Sequence, residues 1–277
     1  MKSNSDYKER FLRHEGILSC RDQTAIKKTS IAIGGLGLGG SIFINLVRMG
    51  FEKFHVADPD IYERSNINRQ RAAKESTLNK RKDESLLDEA RDINPDIQVK
   101  VFPEGVKAQN VESFLEGVDW AVDVIDVFAL KEKILFNRTA KSKGVPVASC
   151  GAMGFCASVV IFNSHTPSFE ELTGMEIGKS YQENIKNFVD FLAPEIPFYM
   201  QEQMSKAMQG NGSIPFIVSG VEATAAACAA EIMKHVVKLG HRPVAPSGVF
   251  IDLANLRIEV FQADYRARSA APLKRAA

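Results

Sequence analysis

Apolar and polar positions follow two periods along this chain, and residues 30–60 show both. A short run, Ser30-Ile31-Ala32-Ile33, breaks into Gly34-Gly35-Leu36-Gly37-Leu38-Gly39-Gly40, then resumes at helical spacing with Phe43, Leu46 and Val47 before Gly50. This predicts a strand, a tight turn and a helix, and the run from Phe54 to Asp58 predicts the next strand. Further on, helix formers over 80–93 carry apolar positions at Leu86, Leu87 and Ala90 and stop at Asn94-Pro95. Residues 97–102 alternate as a third strand, 111–115 form a short helix, and 120–126 form a buried strand interrupted and ended by Asp123 and Asp126. A helix over 130–143, a strand over 145–150 and an apolar strand over 157–162 come after it.

From 163 to 213 the pattern loosens around Pro167, Pro194 and Pro197, with a semi-apolar stretch over 188–200. A segment of that length in a compact domain is expected to be a lid, a binding loop or an interface. A small-residue-rich helix over 214–239 comes next, then a hairpin of 248–253 and 256–261 across Ala254-Asn255. Ahead of the first strand, 6–30 predicts one or two short helices, and 266–277 is expected to be disordered. The pattern predicts one domain over 1–277, with a helical arm at 1–29 and an insertion at 163–213. Its fold class is α/β: a Rossmann-like, mostly parallel sheet with helices on both faces and a C-terminal antiparallel hairpin.

Composition narrows the partners. The 277 residues are 45% hydrophobic and 25% charged, and 35 basic against 34 acidic side chains leave no global pull toward nucleic acid or an anionic membrane. No apolar run approaches the ~20 residues that span a bilayer, so a cytoplasmic location is expected. Cys20, Cys150, Cys156 and Cys228 form no Cys-x-x-Cys pair, and no structural zinc is expected.

The candidate chemistry begins at the glycine turn. Glycines let the backbone approach a phosphate, and a helix N-terminus offers free N–H groups and positive dipole. An acid ending the next strand, here Asp58, can accept both ribose hydroxyls. After Asp58-Pro59-Asp60 comes a polar stretch too rich in directional donors to be an idle linker, Asn66-Ile67-Asn68-Arg69-Gln70 among it. A strand ending in Asp126 aims a carboxylate into the ligand crevice of a parallel sheet. Cys150, just past a strand end, is a possible acyl-accepting nucleophile, though a buried structural thiol is the commoner case.

With the glycine turn, Asp58, Asp60, the Asn-x-x-Arg-Gln block, Lys82 twelve residues after its glutamine, and Asp126 in order, the chain resembles the ThiF/MoeB/HesA family, bacterial relatives of ubiquitin-activating enzymes. The resemblance runs from Arg10 to the final hairpin. It implies an adenylyltransferase that uses ATP and Mg²⁺ to activate a carboxylate, on a carrier protein, a peptide or a small acid, and that works as a homodimer. By resemblance, Gly34, Gly35, Gly37 and Gly39 belong to the nucleotide loop and Asp58 to the ribose, with Asp60 and Gln70 beside them. Asn66, Arg69 and Lys82 are implied at the phosphates, Asp126 at the magnesium, and Arg10 at the terminal phosphates across a dimer interface. Leu36 stands where the family usually has its second glycine, and Val127 replaces an asparagine. The competing readings are a nicotinamide-dependent oxidoreductase using the same turn and Asp58, and a non-catalytic nucleotide-binding scaffold.

Overall fold

The computed structural model describes residues 2–209 and 214–269. Helix α1 (Lys2–Arg10) and α2 (Cys20–Lys28) precede β1 (Ser30–Gly34), α3 (Leu38–Arg48), β2 (Lys53–Ala57), α4 (Lys82–Ile93) and β3 (Gln98–Phe102). Then come α5 (Val111–Phe114), β4 (Trp120–Asp123), α6 (Leu130–Ser142), β5 (Val147–Met153) and β6 (Cys156–Phe162). Helices α7 (Phe169–Thr173), α8 (Tyr181–Leu192) and α9 (Gln201–Met208) lead to the long α10 (Val218–Val237). The strands β7 (Ser247–Asp252) and β8 (Arg257–Gln262) and the short α11 (Tyr265–Ser269) close the described chain.

The eight strands form one sheet in the order β3-β2-β1-β4-β5-β6-β7-β8. Pairings from β3 through β5 are parallel, and those from β5 through β8 antiparallel. The antiparallel part is therefore larger than the expected hairpin, because β6 reverses on β5 through the tight Gly154-Phe155 turn. Over β1, β4, β5 and β6 both faces are buried, which the strand residues show by alternation. Ile31 and Ile33 face a core shared with α3, α4 and α10, whereas Ala32 between them faces the core under α5, α6 and α8. Near-continuous apolar strands are what a sheet covered on both faces requires.

Two boundaries differ instructively from expectation. Strand β4 ends at Asp123, not Asp126. Asp123 is fully buried and takes hydrogen bonds from Lys133 Nζ (2.9 Å) and Asn137 Nδ2 (2.7 Å), so it ties the strand end to α6 and leaves Asp126 in the following loop. The segment after β6 is helical where no regular pattern was expected. Ser168 and Ser180 each close a capping box with the glutamate three residues on, which satisfies free N–H groups at the starts of α7 and α8. Their apolar faces, with Phe169, Phe188 and Phe191, are buried in the chain's own core, as is Met200 in the turn before α9. Small residues of α10 likewise pack on α3, β5 and β6. The expected disordered tail begins with ordered residues, since Arg266 to Ser269 belong to α11. Its remainder, 270–277, lies outside the described residues.

The Asp123–Lys133 pair is almost wholly out of water, so removing one partner strands a buried charge. Lys133→Met is expected to lower the unfolding free energy by about 3–5 kcal/mol, read by urea titration. A loss below about 1 kcal/mol, the range of surface pairs, would contradict this account of how β4 is anchored.

Candidate active site

A cavity of about 480 Å³ opens at the carboxyl ends of the parallel strands, where the chain runs outward from β1 to β2 and from β4 to β5. Crevices of this kind are where open α/β sheets bind ligands. Its rim begins at the glycine turn. Gly35 has φ +93° and a Cβ there would stand 2.5 Å from the Val124 carbonyl oxygen, so the turn admits only glycine. Gly35 N–H donates to Ala57 O at 2.8 Å, which locks the turn to β2. Gly35, Gly37 and Leu38 line the cavity at the start of α3. Gly34 and Gly39 instead serve packing, the one against Ile125 and the other against Ile33 and Val124. Leu36 points its side chain into the core while its N–H donates to Asp58 Oδ2 at 2.5 Å.

Asp58 follows β2 and is 4% exposed. Its second oxygen accepts the Asp60 N–H at 2.8 Å and lies 3.9 Å from Lys82 Nζ. Burial pushes its pKa up, and the Lys82 ammonium works against that shift. Lys82 is itself buried as the first residue of α4, where the helix dipole disfavours a cation. A 2.8 Å bond from its Nζ to Asp60 Oδ2, with Asp58 beyond, supplies the compensating charge.

The Asn66–Gln70 turn hangs Arg69 and Gln70 over the other side of the cavity. Asn66 is buried and does not reach the cavity. Its Oδ1 accepts the Glu63 N–H at 3.1 Å, and its carbonyl accepts from the Arg69 and Gln70 N–H groups, so it shapes the turn. Arg69 Nη1 donates to Ser65 O and Asn68 Oδ1, and its guanidinium stands 5.5 Å from the Phe216 ring centroid. Gln70 Oε1 is buried without a hydrogen-bond partner among the described residues. Asp126 is exposed at the cavity, with Oδ1 accepting the Phe128 N–H at 3.0 Å.

Arg10 is elsewhere. Its Nη1 donates to Asn94 Oδ1 at 3.0 Å and lies 4.0 Å from Asp96, beyond the C-terminal end of α4. Lys82 begins that twelve-residue helix, about 18 Å away along its axis. Within one chain the structure thus gathers Gly35, Gly37, Asp58, Asp60, Arg69, Gln70, Lys82 and Asp126 on one cavity, and places Gly34, Gly39 and Asn66 behind its wall.

Sequence reading missed several cavity residues. Lys133, 1% exposed, donates to Asp123 and to Ile125 O and stands 4.8 Å from the Phe188 ring centroid. Its signal was its place on the 133, 136, 137, 140 stripe of α6, the helix's buried face. Lys107, paired with Glu132 at 3.0 Å, and Phe216, held by its bridge to Gly154, carried no such pattern. Cys150 lines the cavity but is buried, and burial with Cys228 beside it pushes its thiol well up. Cys156 is pushed up to about 11 by burial, opposed by the Tyr199 hydroxyl at 3.8 Å.

A glycine turn, an acid after β2 and a buried lysine at one crevice make this a Rossmann-like α/β protein with its candidate site at the carboxyl edge of the parallel strands. Residues 10–271 match the ThiF family, and the chain belongs to it. Among curated relatives, the SAMP-activating enzyme E1 of Haloferax volcanii is 31% identical over 117 residues, 42% of this chain and 43% of that protein. The tRNA threonylcarbamoyladenosine dehydratase of Haemophilus influenzae is 26% identical over 54% of this chain and 57% of its own length. The adenylyltransferase and sulfurtransferase UBA4 of Candida glabrata is 26% identical over 54% of this chain and 34% of its own. The chain thus spans about a third to just over half of the length of these relatives. In fold it is similar to E. coli MccB, solved with MccA-N7isoASN (17% identity, 95% of this chain and 72% of that chain, TM-score 0.70). It is also similar to MccB solved with ATP (18% identity, 94% and 72%, TM-score 0.68).

The thiols report on the site's chemistry. Ellman's reagent at pH 8 is expected to modify Cys20, the exposed cysteine, quickly, and Cys150, Cys156 and Cys228 only after denaturation. Fast labelling of Cys150 in folded protein would show a reactive thiol and contradict the assignment of Cys150 as structural.

Proposed function

We propose that this protein is an ATP- and Mg²⁺-dependent adenylyltransferase that activates a carboxylate as an acyl adenylate. The observation that carries this reading is the cluster of Lys82, Asp58 and Asp60 facing Arg69 across a glycine turn. Asp58 presents a buried acceptor for ribose hydroxyls at the end of β2. Lys82 and Arg69 stand where a polyphosphate leaving the turn would run, and phosphate oxygens replace Asp60 and Asn68 as their partners. A nicotinamide dinucleotide would find its phosphates met by the turn and helix start and would leave these cations without a task. Membership of the ThiF family and the adenylyltransferase among its relatives support the same choice.

The reaction needs little from the protein beyond charge and placement. An ionised carboxylate attacks the α-phosphorus, a new acyl–phosphate bond forms, and the bond to the bridging oxygen breaks to release pyrophosphate. No general base is required, since the attacking acid is already ionised at neutral pH. Lys82 and Arg69 stabilise the charge that moves onto pyrophosphate. Asp126 suits a magnesium ion shared with the phosphates: a single exposed carboxylate is what such a site needs from the protein, since Mg²⁺ keeps waters and binds substrate oxygens. The metal would spread the phosphate charge during attack.

We further infer release of the adenylate to an external nucleophile without a thioester, because the cavity's cysteines are buried and protonated at neutral pH. No described helix is long and apolar enough to cross a membrane, and we place the protein in the cytoplasm. We also propose a two-fold homodimer. The 188–200 run buries most of its apolar side chains in the chain's own core but leaves Phe198 and Tyr199 exposed, and α10 packs most of its small residues on α3, β5 and β6. Further support comes from edge strand β8, which with the residue before it exposes Leu256, Ile258 and Val260, a face that isolated proteins usually cover. Arg10 would have to leave Asn94 and Asp96 to serve a partner's cavity.

ATP–pyrophosphate exchange with candidate carboxylates, beside calorimetric titration of ATP and NAD, tests the reading. ATP is expected to bind with preference, and a preference for NAD would overturn the proposal. Asp126→Ala is expected to lower exchange at least about a hundredfold while ATP affinity falls much less. Unchanged exchange in a folded variant would remove Asp126 from the site. Mixing Arg10→Ala and Asp126→Ala subunits is expected to restore part of the activity, because one site of the heterodimer keeps both residues. A monomer by sedimentation, or verified heterodimers without rescue, would refute a shared site.

A further inference from the structure

A second, smaller pocket lies against α6, apart from the candidate active site. Its volume is about 150 Å³, against about 480 Å³ for the larger cavity, and among the described residues none lines both. It opens between the second half of α6, the start of β5, the end of β6 and the start of α7. Apolar side chains make its floor. Val147 and Phe162 are direct cross-strand partners, and the Phe169 ring centroid stands 5.9 Å from that of Phe162.

On its own such a floor would be ordinary core, and Asn137 makes it more than that. Asn137 is 5% exposed, and its Nδ2 donates to Asp123 Oδ2 at 2.7 Å and to Lys133 O at 2.9 Å. Both partners are pure acceptors, so chemistry fixes which end of the amide faces them and turns the carbonyl end away. Oδ1 has no hydrogen-bond partner among the described residues, yet it is not sealed from solvent. Asn137 lines the small pocket and not the large one, so the small pocket is where Oδ1 is reached. A buried amide oxygen without a donor costs stability, and a donor held in the pocket would recover it.

The charged groups at the rim have spare capacity of both signs. Arg138 Nε donates to Glu170 Oε1, which leaves both Arg138 Nη groups and Glu170 Oε2 without partners among the described residues. Lys141 Nζ donates to Thr166 O at 2.7 Å and keeps further N–H groups. Two cations suit a carboxylate, and Glu170 with Asn137 Oδ1 suits an ammonium.

We propose that this pocket binds a free apolar α-amino acid of about the size of valine or leucine. The carboxylate meets Arg138 and Lys141, the ammonium meets Asn137 Oδ1 and Glu170, and the side chain lies on Val147, Phe162 and Phe169. A peptide terminus offers only one of the two charges, and a fatty acid brings no donor to Asn137 or Glu170. Apolar walls with a few placed polar groups are how small-ligand pockets fix orientation. The site is joined through Asn137 to the Asp123 network that ends β4.

The test titrates L-leucine, N-acetyl-L-leucine, L-leucinamide and glycine into the full chain by calorimetry, without nucleotide, so that the result does not depend on adenylation. L-leucine is expected to bind with a Kd below about 1 mM. Each of the other three lacks a charge or the apolar body and is expected to bind at least about tenfold more weakly. Arg138→Gln and Glu170→Gln, each checked for an unchanged fold by circular dichroism, are expected to weaken L-leucine by at least about tenfold. No binding of L-leucine at millimolar concentration, N-acetyl-L-leucine or L-leucinamide binding as well as L-leucine, or affinity unchanged in both variants would overturn the inference. Displacement of L-leucine by ATP would place it in the larger cavity and overturn it too.

Discussion

A buried ammonium at the wrong end of a helix is the constraint on which the site depends. Lys82 starts α4, where the helix's own dipole is positive, and it is nearly sealed from water. Such a charge survives only with anions close by, and Asp58 and Asp60 are those anions. The arrangement is poised for exchange, since Asp60 is exposed and its bond to Lys82 can pass to a more highly charged phosphate. Asp58 stays behind, held by the N–H groups of Leu36 and Asp60.

Around that charge the sheet does the positioning. Gly35 lets the first turn press against the Val124 carbonyl, which brings β1, β2 and the loop after β4 to one edge. The Asp123–Lys133–Asn137 network fixes where β4 stops, and so where Asp126 stands. The antiparallel strands extend the same edge sideways and roof it with α8. One continuous cavity thereby holds a charged half, which the proposed reading gives to the nucleotide, and a more apolar half.

Much of the charged half was legible in the sequence because its residues sit at element ends. Glycines after a strand, an acid closing the next and a lysine opening a helix are local signals, and the spacing between Gln70 and Lys82 ties them together. The apolar half was illegible for a physical reason. Its walls are made by strand register, and nothing local to Ser158 on β6 says that Gly151 and Phe250 flank it in the sheet. Lys133 was passed over because a lysine on a helix is ordinarily solvated, and only its shared face with Phe136 and Asn137 betrays burial. The 163–213 segment concealed its helices because prolines and polar caps break the apolar rhythm, although Ser168-x-x-Glu171 and Ser180-x-x-Glu183 mark both starts. Arg10 lies in an arm whose service to a site would depend on a second chain.

A crystal structure with α,β-methylene-ATP and magnesium tests the central claim most directly. The account predicts the ribose hydroxyls on Asp58, Lys82 Nζ transferred from Asp60 to a phosphate oxygen, and Arg69 turned from Asn68 to the same polyphosphate. A nucleotide bound away from the Gly35 turn, or one bound there with Lys82 still on Asp60 and Arg69 still on Asn68, would contradict it.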